Sequence, residues 1–133
     1  MCIRDRSSDV HTSVLSQYVL YDYLTHNDYD GHIAEIRALY ESQCKTMLDA
    51  MAECFPASVS YTRPDGGMFI WCTLPEGKTA LDFFYEAVEC KVAVAPGDPF
   101  YTAPKAVRTF RLNYTNASKE EIREGIRRLG TLL

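Results

Sequence analysis

Apolar residues return at helical spacing in two stretches near the start of the chain. From about Ser13 to Thr25 the positions Val14, Leu15, Tyr18, Val19, Tyr21 and Leu24 recur every few residues, and the turn-rich run Asn27 to Gly31 breaks the pattern. A tyrosine-rich helix is expected there. A second stripe, Ile33, Ile36, Leu39, Tyr40, Met47, Leu48 and Met51, runs from about His32 to Cys54 and is stopped by Pro56. That is a helix of about six turns. Beyond Pro56 the period shortens. Ser58 to Thr62 alternates, Arg63-Pro64-Asp65-Gly66-Gly67 carries strong turn chemistry, and Met68 to Leu74 is an apolar run, so a strand, a tight loop and a second strand are expected. Thr79 can cap a helix with Asp82 three places on, and Leu81, Phe84, Tyr85 and Val88 form its expected apolar face up to about Cys90. Val92 to Ala95 reads as a short buried strand. Pro96-Gly97-Asp98-Pro99 must leave regular structure, and Thr102 to Lys105 continues as loop until Val107 to Tyr114 resumes strand alternation. Ser118 and Glu121 make a capping box for a last helix, whose expected core face is Ile122, Ile126, Leu129 and Leu133.

The order of elements predicts an α+β domain, a small sheet covered on one face by helices, with the long second helix as its boundary. Residues 1–27 carry no sheet and cannot close a core. They read as a disordered start, Met1 to Arg6, followed by a helix left over from another domain, with the α+β domain and its connector spanning 28–133.

Composition narrows the function. With 133 residues, 47% of them hydrophobic and 24% charged, the chain can bury a real core. A net charge of -4 offers no basic field, which argues against nucleic acid or an anionic membrane as partner. No apolar run approaches the roughly 20 residues of a membrane-spanning helix, and Met1 to Asp9 is polar where a secretory signal would be apolar, so a cytoplasmic location is expected. Cys2, Cys44, Cys54, Cys72 and Cys90 are odd in number and lack Cys-x-x-Cys spacing, and His11, His26 and His32 supply no ligand pattern. Buried reduced thiols and no metal site are expected.

The sharpest chemical feature is Thr109-Phe110-Arg111-Leu112-Asn113-Tyr114. Strand alternation puts Phe110, Leu112 and Tyr114 on one face and Arg111 on the other, away from the core. A guanidinium held on a strand beside apolar neighbours presents a planar fork suited to a carboxylate, which a lysine would not match. The competing reading is an ordinary surface arginine, or one paired with a nearby acid. Arg108 has the opposite parity and reads as structural. Gly66 and Gly67 precede a strand, where backbone can approach closely or take positive φ, but no helix follows to make a phosphate cradle. Trp71 reads as core or pocket wall, and Pro96-Gly97-Asp98-Pro99-Phe100-Tyr101 as a rigid loop that either lines a cleft or closes a sheet edge. No nucleophile and base stand in a recognisable arrangement. Lys45, Lys78, Lys91, Lys105 and Lys119 lie in helical, turn or charged surroundings, whereas a Schiff-base lysine needs a setting that lowers its pKa.

Taken together, Pro64-x-Gly66-Gly67-Met68-Phe69-x-Trp71, Val92-Ala93-Val94-Ala95-Pro96-Gly97-x-x-Phe100-Tyr101 and Phe110-Arg111-Leu112-x-Tyr114 resemble the C-terminal region of class I/II aminotransferases. The pattern is similar to the branch holding 2-aminoadipate and kynurenine aminotransferases and the aminotransferase-like domains of MocR-type bacterial regulators. The closing Glu121-Ile122-Arg123-Glu124-Gly125-Ile126-x-Arg128-Leu129 is similar too. The resemblance implies the small C-terminal domain of a fold type I enzyme dependent on pyridoxal 5'-phosphate, with a three- to four-stranded, mainly antiparallel sheet covered by helices and preceded by a long connector helix, in a homodimer whose substrates are an amino acid and a 2-oxo acid. It assigns the substrate carboxylate to Arg111. The family's cofactor lysine and phosphate ligands match nothing here, so the resemblance puts the cofactor on a missing large domain and predicts that this chain alone is inactive. It also offers an alternative, a ligand-sensing domain of a transcription regulator. Lys91 departs from the pattern, standing where the family often turns with glycine.

Overall fold

The computed structural model describes residues 13–103 and 107–133. The expectations for Met1 to Arg6, Cys2, His11 and Lys105 lie outside them. The described residues form four helices and four strands: α1 (Val14–His26), α2 (Tyr29–Cys54), β1 (Ser60–Tyr61), β2 (Phe69–Thr73), α3 (Ala80–Glu89), β3 (Ala95–Pro96), β4 (Thr109–Asn113) and α4 (Lys119–Gly130), with a 3-10 turn at Asp98–Phe100. Chain packing separates two compact units, Met1–Ile36 and Arg37–Leu133, with the break inside α2.

In the second unit the strands form one antiparallel sheet in the order β1-β2-β4-β3. Strand parity divides it cleanly. Ile70, Cys72, Phe110 and Leu112 are buried, whereas Phe69, Trp71, Thr73, Thr109, Arg111 and Asn113 point to the other side and stay partly or fully exposed. The buried side joins Cys44, Met47, Ala50 and Met51 of α2, Phe83 and Ala87 of α3, and Ile122, Ile126 and Leu129 of α4 in one core. Tyr114, just past β4, is 1% exposed and continues the same face. All three helices therefore cover one face of the sheet, as the element order predicts. Phe83 and Phe110 meet at the centre with ring centroids 4.8 Å apart.

The caps match the sequence closely. Asp82 N–H donates to Thr79 Oγ1 at 3.1 Å to open α3. Ser118 N–H donates to the Glu121 carboxylate at 2.8 Å while Glu121 N–H donates to Ser118 Oγ at 3.3 Å, completing the capping box of α4. The bond from the Ser118 N–H, joined by one from the Ser118 hydroxyl, holds the Glu121 carboxyl below its ordinary pKa. Farther along α4, Glu124 accepts from both Arg127 and Arg128, which brings its pKa down to about 2.

Several expectations are corrected. The face of α3 that enters the core is Ala80, Phe83 and Ala87, while Leu81, Tyr85 and Val88 are 45%, 61% and 48% exposed. Apolar residues occupy both sides of this helix, so its pattern offered two stripes, and the small Ala80 and Ala87 let the helix lie close to the sheet. In α2 Tyr40 packs half-buried against the core and the first buried residue is Gln43, whereas Leu39 is 52% exposed. Gln43 is buried because its Nε2 donates to the Ala117 carbonyl at 2.8 Å, a link between residues 74 apart that no local pattern reveals. The α1 stripe is exposed throughout, and no residue of α1 is buried. The third strand is Ala95–Pro96 and not Val92 to Ala95; Pro96 is tolerated in the ladder because β3 is an edge strand, where its missing N–H costs no pairing. The four described cysteines are unpaired, but only Cys44 and Cys72 are buried, Cys54 and Cys90 being half-buried.

Lys91 is where α3 stops. Its φ is 62°, the one positive value among the described non-glycine residues. Lys91 N–H donates to the Val88 carbonyl and Val92 N–H to the Ala87 carbonyl, both at 2.9 Å. This crossed pair is a Schellman cap, which places its left-handed residue at the position where glycine is most at ease. Lysine there costs about 1 kcal/mol through contact of Cβ with the following carbonyl. Lys91→Gly is accordingly expected to stabilise the chain by about 1 kcal/mol, measured as a higher urea midpoint with unchanged slope; a lower midpoint would refute the strain.

Candidate functional site

Arg111 stands in the middle of β4 with a paired strand on each side, Trp71 opposite in β2 and Ala95 opposite in β3. Its backbone is thus fixed by the most connected part of the sheet. The side chain leaves on the face away from the core, as parity requires, and is half-buried. Its Cζ lies 4.0 Å from the centroid of the Phe69 ring and 4.5 Å from that of Phe100. Both distances are within cation–π range, worth about 0.5–1 kcal/mol per contact at a partly exposed site. No carboxylate among the described residues pairs with Arg111, in contrast to Arg123, Arg127 and Arg128 on α4. Its Nε is buried and has no hydrogen-bond acceptor among the described residues. A buried donor left unpaired is costly, about 1–3 kcal/mol, so this arginine is held by ring faces and neighbours rather than by charge.

The loop from Pro96 to Tyr101 supplies one of those rings. Gly97 N–H donates to the Thr109 carbonyl at 2.7 Å, and a Cβ on residue 97 would come within 2.5 Å of that same oxygen. Only glycine allows this approach. Phe100 N–H then donates to the Gly97 carbonyl at 2.9 Å, closing the 3-10 turn, and the Tyr101 hydroxyl sits 3.1 Å from Thr109 Oγ1. Phe100 meets Trp71 edge-on, with centroids 5.7 Å apart and planes at 75°. The loop thus extends the pairing of β3 with β4 by one hydrogen bond and carries an aromatic side chain over the open face. Trp71 belongs to that face and not to the core. On the other side of the site, Gly67 takes φ 95° in the turn that leads into β2, the positive value its sequence context allowed.

Other candidates stay apart from this cluster. Arg108 is exposed and its Nη1 donates to the Leu74 carbonyl at 3.4 Å, a structural contact. Among the described lysines, Lys45, Lys91 and Lys119 are exposed, and Lys78 pairs with Glu86 and donates to the Leu132 carbonyl at 2.8 Å. None is the buried, unpaired amine that a cofactor aldehyde would require, so the described residues do not fit a pyridoxal phosphate site. No group of three potential metal ligands exists among them. Burial pushes the Cys72 thiol up to about 12, and Cys44 is raised for the same reason, so neither is a nucleophile. What sequence reasoning missed is the pair Phe69 and Phe100. Parity with Trp71 would have found Phe69; Phe100 reaches Arg111 only through the fold of its loop.

Residues 1–129 match the family described as aminotransferase class I and II. The chain belongs to the class I and II aminotransferase family. The solved structure of LysN, an α-aminoadipate aminotransferase from Thermus thermophilus complexed with N-(5'-phosphopyridoxyl)-L-leucine, is 37% identical, with a TM-score of 0.83 over 96% of this chain and 33% of that one. The kynurenine aminotransferase of Pyrococcus horikoshii is 39% identical, with a TM-score of 0.85 over 97% of this chain and 32% of that one. A third relative is the HTH-type transcriptional regulator YdcR of Escherichia coli, 30% identical over 95% of this chain and 27% of the regulator. The chain spans about a third or less of the length of these relatives. The fold is that part of a fold type I aminotransferase which carries the small antiparallel sheet. No helix among the described residues is long and apolar enough to cross a membrane.

The close approach at Gly97 makes a direct prediction. Gly97→Ala should destabilise the chain by about 2 kcal/mol or more, because its Cβ meets backbone that is already paired in the sheet. It should also shift the aromatic signals of Phe100 and Trp71 in a proton spectrum. A variant with native stability and unmoved aromatic signals would show that the loop does not depend on this contact.

Proposed function

We propose that Arg111 holds the α-carboxylate of a substrate in an aminotransferase of which this chain forms the small domain. The observation that carries the proposal is an arginine fixed at the centre of the sheet with ring faces for neighbours and, among the described residues, no acid to neutralise it. A guanidinium so placed offers its planar N–H edge to an incoming carboxylate, and the pair is bidentate and charge-assisted. Fixing the carboxylate fixes the α-carbon, and orientation of that kind contributes to rate as well as to affinity. In the full-length protein the reaction moves an amino group between an α-amino acid and a 2-oxo acid. Pyridoxal phosphate supplies the electron sink for it when bound, and this cofactor is held by residues outside the described part of this chain. The helix that ends at His26 is a remnant of the larger cofactor domain, and residues 28–133 form the small domain with its connector. The assembly is a cytoplasmic homodimer, and the chain by itself is inactive.

The regulator YdcR favours a second reading, in which the same arginine grips a ligand carboxylate for sensing without turnover. A winged-helix segment upstream of the large domain would mark that class. Substitution separates Arg111 from a structural role in either case. Arg111→Lys in the full-length protein should lower kcat/KM for the amino donor by about a hundredfold or more, a loss of roughly 3 kcal/mol in transition-state binding. In a regulator the same substitution should weaken amino-acid affinity comparably, measured by calorimetry. Unchanged kinetics and affinity would end the assignment of Arg111 to the carboxylate.

A further inference from the structure

Arginines that bind substrate are usually oriented by an acid or by carbonyls, and Arg111 has neither among the described residues. What touches it is aromatic, Phe69 from β2 and Phe100 from the 3-10 turn. We infer that Phe69 and Phe100 are the positioning residues for the Arg111 carboxylate site, holding the guanidinium by its faces so that its N–H edge stays free for the ligand; the inference rests on the carboxylate reading of Arg111.

First, rings and carboxylates use different surfaces of a guanidinium: a ring attracts the flat face, whereas a carboxylate accepts hydrogen bonds in the plane. An acidic orienting residue would compete with the substrate for the same N–H groups, and a phenyl ring does not. Second, of the three guanidinium nitrogens only Nε is buried without an acceptor. The end of the fork carrying the two Nη groups is therefore the edge left for the ligand. Third, the two rings are themselves anchored. Phe69 is in the ladder opposite Asn113, two places along β2 from the partner of Arg111, so side chains on this face meet diagonally. Phe100 is fixed by the Gly97 contact with Thr109 at one end and by the edge of Trp71 at the other. Phe69 and Phe100 remain 37% and 50% exposed, far more than any core residue, so neither ring belongs to the core of this unit.

The test uses the full-length protein for kinetics and this chain for spectroscopy. Phe69→Leu and Phe100→Leu should each raise KM for the amino donor about tenfold, with a smaller fall in kcat because the α-carbon is less well oriented. Phe69→Tyr and Phe100→Tyr keep the ring and should restore KM to within about twofold of the parent. In the nitrogen-15 spectrum of this chain the Arg111 Nε–H signal should be displaced upfield by the rings, and each leucine variant should move it back toward the random-coil position. Because neither ring is in the core, the leucine variants should retain the parent melting behaviour; if one does not, its tyrosine counterpart and the Arg111 signal still decide. Leucine variants with unchanged KM, beside an Arg111→Lys variant that has lost activity, would overturn the role of the rings and leave the carboxylate reading standing. An Arg111→Lys variant without effect would overturn that reading first. An Arg111 signal at its random-coil position in the parent chain would refute the ring contact itself.

Discussion

Everything in this domain depends on the antiparallel pairing of β2 with β4. Five residue pairs, from Phe69 with Asn113 to Thr73 with Thr109, fix which side chains face the helices and which do not. A slip of one residue would turn Phe110 and Leu112 out to water and drive Arg111 into the core. Burying an unpaired guanidinium costs several kcal/mol, and exposing a core phenylalanine and leucine costs several more. The register that builds the core is thus the register that presents the arginine. The stability of the domain and the placement of Arg111 are set by the same hydrogen bonds.

The open face of the sheet differs from the core face in how it is held. On the core face, aliphatic and aromatic side chains from α2, α3 and α4 interlock around Phe110 and Phe83. On the open face Phe69 and Phe100 flank one cation, and Trp71 meets Phe100 edge-on. Such an arrangement keeps a positive charge partly desolvated without neutralising it. The loop contributing Phe100 is secured by a backbone contact that only Gly97 permits and by the hydroxyls of Tyr101 and Thr109. Precision at the site therefore comes from a strand on one side and a pinned turn on the other.

Two departures from local preference have physical accounts. Lys91 takes a left-handed conformation because the crossed hydrogen bonds that end α3 require it, and the chain tolerates the strain. Pro96 sits in a ladder because β3 is an edge. Neither disturbs the pairing of β2 with β4.

The amino-acid sequence by itself determined the order of the elements, both helix caps that open α3 and α4, the parity that separates Arg111 from Phe110 and Leu112, and the family through three spaced motifs. Each is a local property, set by side-chain period, by a hydroxyl three residues before an acid, or by short motifs in order. Where two local answers were equally good, the sequence did not choose. Helix α3 has apolar residues on both sides, and only packing against the sheet selects Ala80, Phe83 and Ala87 over Leu81, Tyr85 and Val88. The burial of Gln43 depends on a carbonyl 74 residues away. The surroundings of Arg111 were undecided for the same reason, since a surface arginine, an ion-paired arginine and a ring-held arginine share one strand pattern. Tertiary structure decided among them by bringing Phe69 and Phe100 to the guanidinium and, among the described residues, no acid, because contacts across strands and through a turn are set by register and loop geometry, which no window along the chain contains.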